Sequence, residues 1–217
     1  MRMRKKKHGA ERIAACGALL IDDTARLFAD PQYTFPEHRP LALEIGCGKG
    51  RFACGMASAH PEMNFIAMER VSDVACIALE KAMAQAETRT TDNLRFLIGD
   101  ARNLSEWFAP HSVSVIYLNF SDPWPQNGYR KRRLTYRDFL ERYRTLLKED
   151  GILLFKTDNQ GLFDFSLEEF AVCGLTVEWS SRDLHHSPYA EGNVMTEYEE
   201  SFSSKGMPIC AAQVRFS

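Results

Sequence analysis

The chain has 217 residues, 45% hydrophobic and 26% charged, with a formal net charge of −2. That length and apolar content suffice for one domain with a sizeable core, and the near-neutral balance excludes a binder that works by global positive charge. Six cysteines with no C-x-x-C pair, and no His cluster at ligand spacing, argue against a metal site or disulfide scaffold and suit a reducing cytosol.

The chain opens on a cationic patch, Arg2, Arg4, Lys5, Lys6 and Lys7. Two readings stand for it: a solubilising tail, or an arm that a polyanion would order. Gly9, Glu11, Arg12 and Asp22 interrupt any signal-peptide apolar core, and no apolar run approaches bilayer length. The expectation is a cytoplasmic protein without membrane segments: a single domain over 1–217 with a basic amino-terminal segment of about 30 residues.

From residue 41 the pattern alternates. Near-continuous apolar runs at 41–45, 64–68, 94–98, 113–120 and 152–156 read as strands buried on both faces. Helical patterns lie between them at 51–60, which stops at Pro61, and at 71–86, rich in Ala. In a third, Tyr136, Phe139, Leu140, Tyr143, Leu146 and Leu147 recur at helical spacing. Thr135 is the expected N-cap of that helix and Gly151 its terminator. Two late runs, 175–180 and 207–216, read as an antiparallel pair. The fold class is therefore α/β with a doubly wound, mostly parallel sheet.

The first core strand runs into Glu44-Ile45-Gly46-Cys47-Gly48-Lys49-Gly50, with a helix at once behind it. Glycines let the chain turn tightly and bring backbone N–H groups close to a ligand. The spacing is G-x-G-x-G rather than G-x-G-x-x-G, and Glu44 would repel a pyrophosphate but attract an amine. A ligand-free tight turn is the plain alternative. The second strand ends at Glu69, suited to the two hydroxyls of a ribose, and the third at Asp100, suited to an adenine amine. Three acids at the carboxyl ends of three successive strands mark the edge where open α/β sheets bind ligands. An amine, a ribose and an adenine without pyrophosphate describe S-adenosyl-L-methionine, and this pattern resembles the class I methyltransferase (Rossmann-like) fold with its seven-stranded sheet.

The fourth strand leads into Ser121-Asp122-Pro123-Trp124-Pro125 and then four cations, Arg130 to Arg133. Trp124 reads equally well as a hydrophobic plug or a stacking platform. The segments E-I-G-C-G-K-G (44–50), M-E-R-V-S-D-V (68–74), G-D-A-R-N-L (99–104) and N-F-S-D-P-W-P (119–125) now stand in order. They are followed by K-R-R-L (131–134), F-K-T-D-N (155–159) and T-E-Y-E (196–199). Together they resemble the bacterial tRNA (guanine-N7-)-methyltransferases over nearly the whole chain, with D-P-W-P and T-x-Y-E the specific elements.

The resemblance implies transfer of a methyl group to N7 of a guanine in the variable loop of tRNA; no metal is expected from the Cys and His pattern, and the sequence leaves a monomer or a homodimer open. It implies a methyl-donor site at Glu44, Gly46, Gly48, Glu69, Arg70, Asp100, Ala101, Asn119 and Asp122, with Asp122 also catalytic. Substrate contacts would fall at Gln126, Asp158, Thr196, Glu197, Tyr198 and Glu199, and RNA contacts at Gly128, Tyr129, Arg130, Lys131, Arg132 and Arg133. The family pattern has a Lys after D-P-W-P, then an Arg and a His. Gln126, Gly128 and Tyr129 stand there instead. Gln126 can hydrogen-bond to a base or ribose but cannot neutralise a phosphate.

Overall fold

The computed structural model describes residues 7–86 and 92–216; the cations Arg2, Arg4, Lys5 and Lys6 lie outside them. The chain divides into two compact units, Met1–Ala109 and Pro110–Ser217.

The first unit carries α1 (Gly9–Ala15), β1 (Leu20–Ile21), α2 (Thr24–Ala29), β2 (Leu41–Ile45), α3 (Arg51–Ala59), β3 (Asn64–Glu69), α4 (Ser72–Ala86), β4 (Leu94–Ile98) and α5 (Leu104–Trp107). Its strands lie in the order β1-β4-β3-β2, all parallel. The apolar runs explain this: all five positions of β2 are buried, as expected of a strand covered on both faces. Two of the polar residues inside show how buried donors are met. Asn93 donates to the carbonyls of Ala57, His60 and Met63, and the Arg95 guanidinium donates to Thr34 and Leu94 carbonyls. Arg12 grips the Glu80 carboxylate with two hydrogen bonds of 2.6 and 2.7 Å, which fastens α1 to α4.

The second unit contains β5 (Val113–Asn119), α6 (Arg137–Leu146), β6 (Leu147–Thr157), α7 (Gln160–Val172), β7 (Thr176–Ser181), α8 (Glu197–Ser203) and β8 (Cys210–Arg215). Here the order is β5-β6-β8-β7; β5 and β6 are parallel, and β8 runs antiparallel to both neighbours. The sheet is thus mostly parallel and α/β, as the alternating pattern requires. The described residues hold eight strands rather than the expected seven. The addition is β1, whose two residues are too short to show any period.

Two local expectations are corrected. Thr135 does not cap α6. It is buried and accepts a 2.7 Å hydrogen bond from Ser166 of α7. The orphan N–H of Arg137 is met from across the unit, by the Glu169 carboxylate at 2.9 Å, which the Arg137 guanidinium also grips. A tertiary carboxylate has replaced the local cap. Nor does Gly151 end the helix, which stops at Leu146 without a glycine. Gly151 lies inside β6, where pairing with β5 jumps from Val113–Leu147 to Val115–Ile152. A Cβ there would come within 2.9 Å of the Leu147 side chain and the Lys148 carbonyl oxygen, so the bulge needs glycine.

Gly50, at the N-cap of α3, has φ +80°, and a Cβ on it would stand 2.9 Å from Ala78 Cβ in α4. Gly48 has φ +57° but open space around the Cβ position. Gly50→Ala is expected to lose roughly 2–5 kcal/mol, left-handed strain plus overpacking, and Gly48→Ala only about 1–2. Urea unfolding compares them; equal losses would show that the approach of α4 is not felt.

Candidate active site

In the first unit the carboxyl ends of three parallel strands hold the expected acids. Glu44 on β2 is 4% exposed. The turn behind it has φ values of 84°, 57° and 80° at Gly46, Gly48 and Gly50. The N–H groups of Gly46 and Cys47 both donate to the Met68 carbonyl at 2.8 and 2.9 Å. The turn is therefore hung from the end of β3. Added Cβ atoms at Gly46 or Gly48 would meet nothing within 4 Å. These positions need glycine for its backbone angles, and they leave an open cradle along the main chain. Burial pushes the Cys47 thiol well up, which keeps it protonated and unreactive beside that cradle.

Glu69 ends β3, and its two carboxylate oxygens accept the N–H of Gly48 at 3.1 Å and of Val71 at 2.8 Å. Each oxygen retains acceptor capacity beyond that bond. Asp100 follows β4 and accepts the N–H of Arg102 at 3.0 Å; the Arg102 guanidinium adds two bonds of 3.0 and 2.9 Å. Those bonds hold its carboxyl below the ordinary range. Arg70 approaches Asp100 at 4.0 Å, and Ala101 is buried in the short turn behind it. An open glycine cradle edged by anionic acceptors fits the amine, ribose and adenine of S-adenosylmethionine.

In the second unit β5 ends at buried Asn119. Phe120 and Trp124 then take left-handed backbone angles, φ 54° and 41°. Such angles are uncommon for aromatic residues and gather where a segment is held for function. Between them Ser121 Oγ is buried without a hydrogen-bond partner among the described residues, and Asp122 is exposed. Gln126 and Gly128 are exposed on the turn that follows. Trp124 meets Tyr129 edge to face, with centroids 6.0 Å apart, and the Arg132 guanidinium lies over both rings at 4.9 and 4.5 Å. Arg130 and Lys131 are exposed. Arg133 is half-buried and donates to the carbonyls of Pro123 at 2.9 Å and Trp124 at 3.0 Å.

Asp158, just past β6, accepts a 3.4 Å hydrogen bond from the Tyr198 hydroxyl. Burial and the Asp158 charge raise the Tyr198 phenol, so it remains a donor. The Tyr198 ring stacks on Phe202 at 4.4 Å and leans on Phe120 at 5.1 Å. Thr196 caps α8, accepting the Glu199 N–H at 2.9 Å, and Glu197 is half-buried. Glu199 is 0% exposed, surrounded by Lys156 Nζ at 2.7 Å, His185 Nε2 at 2.8 Å and Asn193 Nδ2 at 2.7 Å. Lys156 also donates to Asn193 Oδ1 and the Val194 carbonyl, both at 3.0 Å. Burial pushes the Glu199 carboxyl up, but Lys156, His185 and Asn193 outweigh it and hold it below its ordinary value.

The structure thus brings Asp158 and Tyr198 together, while the side chains of Thr196 and Glu199 hold α8 in place. Lys156, His185 and Asn193 escaped the sequence reading. The available signal was Lys156 itself, a cation inside a buried strand. Among the described residues no helix is long and apolar enough to cross a membrane.

A family model described as "Putative methyltransferase" matches residues 38–212, in both units. A solved antibiotic-related methyltransferase shares the fold with a TM-score of 0.63 at 16% identity, covering 91% of this chain and 96% of that one. Fold and site together define a class I methyltransferase. Two relatives narrow the class. A tRNA (guanine-N(7)-)-methyltransferase from Limosilactobacillus reuteri is 46% identical over 209 residues, 96% of this chain and 96% of that protein. Another from Halalkalibacterium halodurans is 46% identical over 217 residues, 99% of this chain and 96% of that one. The chain belongs to the tRNA (guanine-N(7)-)-methyltransferase family.

Lys156→Met would leave the Glu199 carboxylate buried without its cation, and a loss of about 3–5 kcal/mol is expected in urea unfolding. Because the folded Glu199 carboxyl lies below its ordinary value, its contribution is complete above the ordinary carboxylate range. It fades as pH falls through the folded value, so the gap between wild type and Lys156→Met narrows in acid. A loss under about 1 kcal/mol at neutral pH would show that water or His185 replaces the ammonium.

Proposed function

We propose that the protein transfers the methyl group of S-adenosylmethionine to N7 of a guanine in tRNA, leaving 7-methylguanosine. The carrying observation is the open glycine cradle edged by Glu44, Glu69 and Asp100, in a chain whose β5 delivers an exposed Asp122 on a strained loop. When bound, the donor supplies an electrophilic methyl on a sulfonium.

Every other part falls to side chains of this chain. Glu44 holds the donor amine, Glu69 its ribose hydroxyls and Asp100 its adenine, with Gly46, Gly48, Arg70 and Ala101 beside them in the same unit. Guanine N7 offers a lone pair and has no proton to lose, so no strong base is required. Its attack makes the base cationic, and the electron pair of the broken carbon–sulfur bond stays on sulfur. Asp122 stabilises that growing positive charge. Asp158, with Tyr198 beside it, accepts from guanine N1–H and the 2-amino group, and Thr196, Glu197 and Glu199 set the position of Tyr198. The rest of the rate gain comes from alignment.

RNA is gripped locally, since the chain as a whole carries −2. Arg130 and Lys131 meet phosphates, Gly128, Tyr129 and Arg132 extend the surface, and Gln126 supplies a neutral contact where the family has a cation. Recognition rests on the shape of the folded RNA. The setting is the cytoplasm, as a monomer or homodimer.

The test combines unmodified tRNA with methyl-labelled donor and maps label by the chemical lability of 7-methylguanine. Label is expected at guanine N7. Asp122→Ala should cut turnover roughly 100-fold while tRNA affinity holds within about threefold. Label on adenine or cytosine would end the proposal, and equal losses of turnover and affinity would reduce Asp122 to an RNA contact.

A further inference from the structure

We infer that Arg133 is a positioning residue for the Asp122 loop and not a phosphate contact; this rests on the methyl-transfer reading above. In the sequence, Arg130, Lys131, Arg132 and Arg133 are four equivalent cations. The structure sorts them. Arg130 and Lys131 are exposed, and Arg132 lies exposed over Trp124 and Tyr129. Only Arg133 turns inward: its Nε and Nη2 donate to the consecutive carbonyls of Pro123 and Trp124 at 2.9 and 3.0 Å. The guanidinium lies over the Phe165 ring of α7, 4.3 Å from its centroid.

The loop needs an external hold. Pro123 and Pro125 have no N–H, so Asp122-Pro123-Trp124-Pro125 cannot be secured by a backbone ladder. Trp124 in between has φ 41°, a conformation that persists only where surroundings enforce it. Arg133 meets two adjacent carbonyls with one planar fork and rests that plane on a ring of a thirteen-residue helix. A lysine ammonium is a point donor, unable to span both carbonyls and stack. Arg133 thereby ties the main chain that carries Asp122 to α7. With two donors on protein carbonyls and its plane on Phe165, it is committed before RNA arrives. Asp122 is the group whose placement then sets the rate, and errors near 1 Å at a reacting centre can cost about 100-fold.

The positioning and phosphate roles separate cleanly. Wild type, Arg133→Lys, Arg133→Ala and Arg130→Ala are compared in steady-state methylation, in tRNA binding across a salt series and in amide hydrogen exchange. Expected for both Arg133 variants is a fall in kcat of about 10- to 100-fold, with unchanged KM for tRNA and unchanged salt slope. Exchange at Phe120, whose N–H donates to the Lys156 carbonyl at the head of this loop, should accelerate in Arg133→Lys. Arg130→Ala should instead lower the salt slope by about 0.7–1, the signature of one lost phosphate contact. Near-normal kcat in Arg133→Lys, together with a salt slope lowered by that amount in Arg133→Ala, would overturn the inference. Wild-type protein that leaves guanine N7 unmethylated would instead refute the methyl-transfer reading, and the exchange and salt-slope results would still decide what Arg133 holds.

Discussion

One carboxylate organises the first unit. Glu69 accepts the N–H of Gly48 with one oxygen and of Val71 with the other, so the turn after β2 and the turn after β3 are fixed to the same side chain. The Met68 carbonyl beside it takes the N–H groups of Gly46 and Cys47. Three glycines at positive φ would otherwise leave this loop with many conformations. Those bonds fasten the turn, and the main chain at Gly46 and Gly48 stays open beside it. In the proposed function the same carboxylate takes the ribose hydroxyls, which would couple cradle shape and ligand affinity through one residue.

The second unit follows the same rule with different chemistry. Its candidate groups stand on the loop after β5, the turn after β6 and the seven-residue α8, short segments with little stability of their own. Each is held by a charged side chain that contacts main chain or a buried partner. Lys156 and Glu199 set the start of α8, and with it Tyr198 beside Asp158. Arg133 takes the two carbonyls that follow Asp122. Cations of this unit therefore differ in what they hold: Lys156 and Arg133 turn inward onto the protein, while Arg130 and Lys131 are exposed.

Much of the fold was legible in the sequence because buried parallel strands advertise themselves as continuous apolar runs. The seven longer strands fall close to those runs, and Glu44, Glu69 and Asp100 stand at strand ends where the spacing put them. The misreadings have a common cause, distant contacts overriding local rules. Thr135 has the chemistry of a cap, yet Glu169 from another helix does that work. Gly151 looked like a helix stop but serves a bulge in β6. In the site, identical neighbouring cations carry no label for direction, so the inward turn of Arg133 could not be read from letters. Lys156 was hidden likewise, since its partners lie up to 43 positions away.

The coupling of cradle and affinity through Glu69 is tested most directly by calorimetric titration of S-adenosylmethionine into wild type and Glu69→Ala, each first shown to be folded by its thermal transition. Wild type should bind. The variant should bind about 10- to 100-fold more weakly, the equivalent of losing one or two hydrogen bonds to a charged group. Equal affinity in the two proteins would contradict the central role given to that carboxylate.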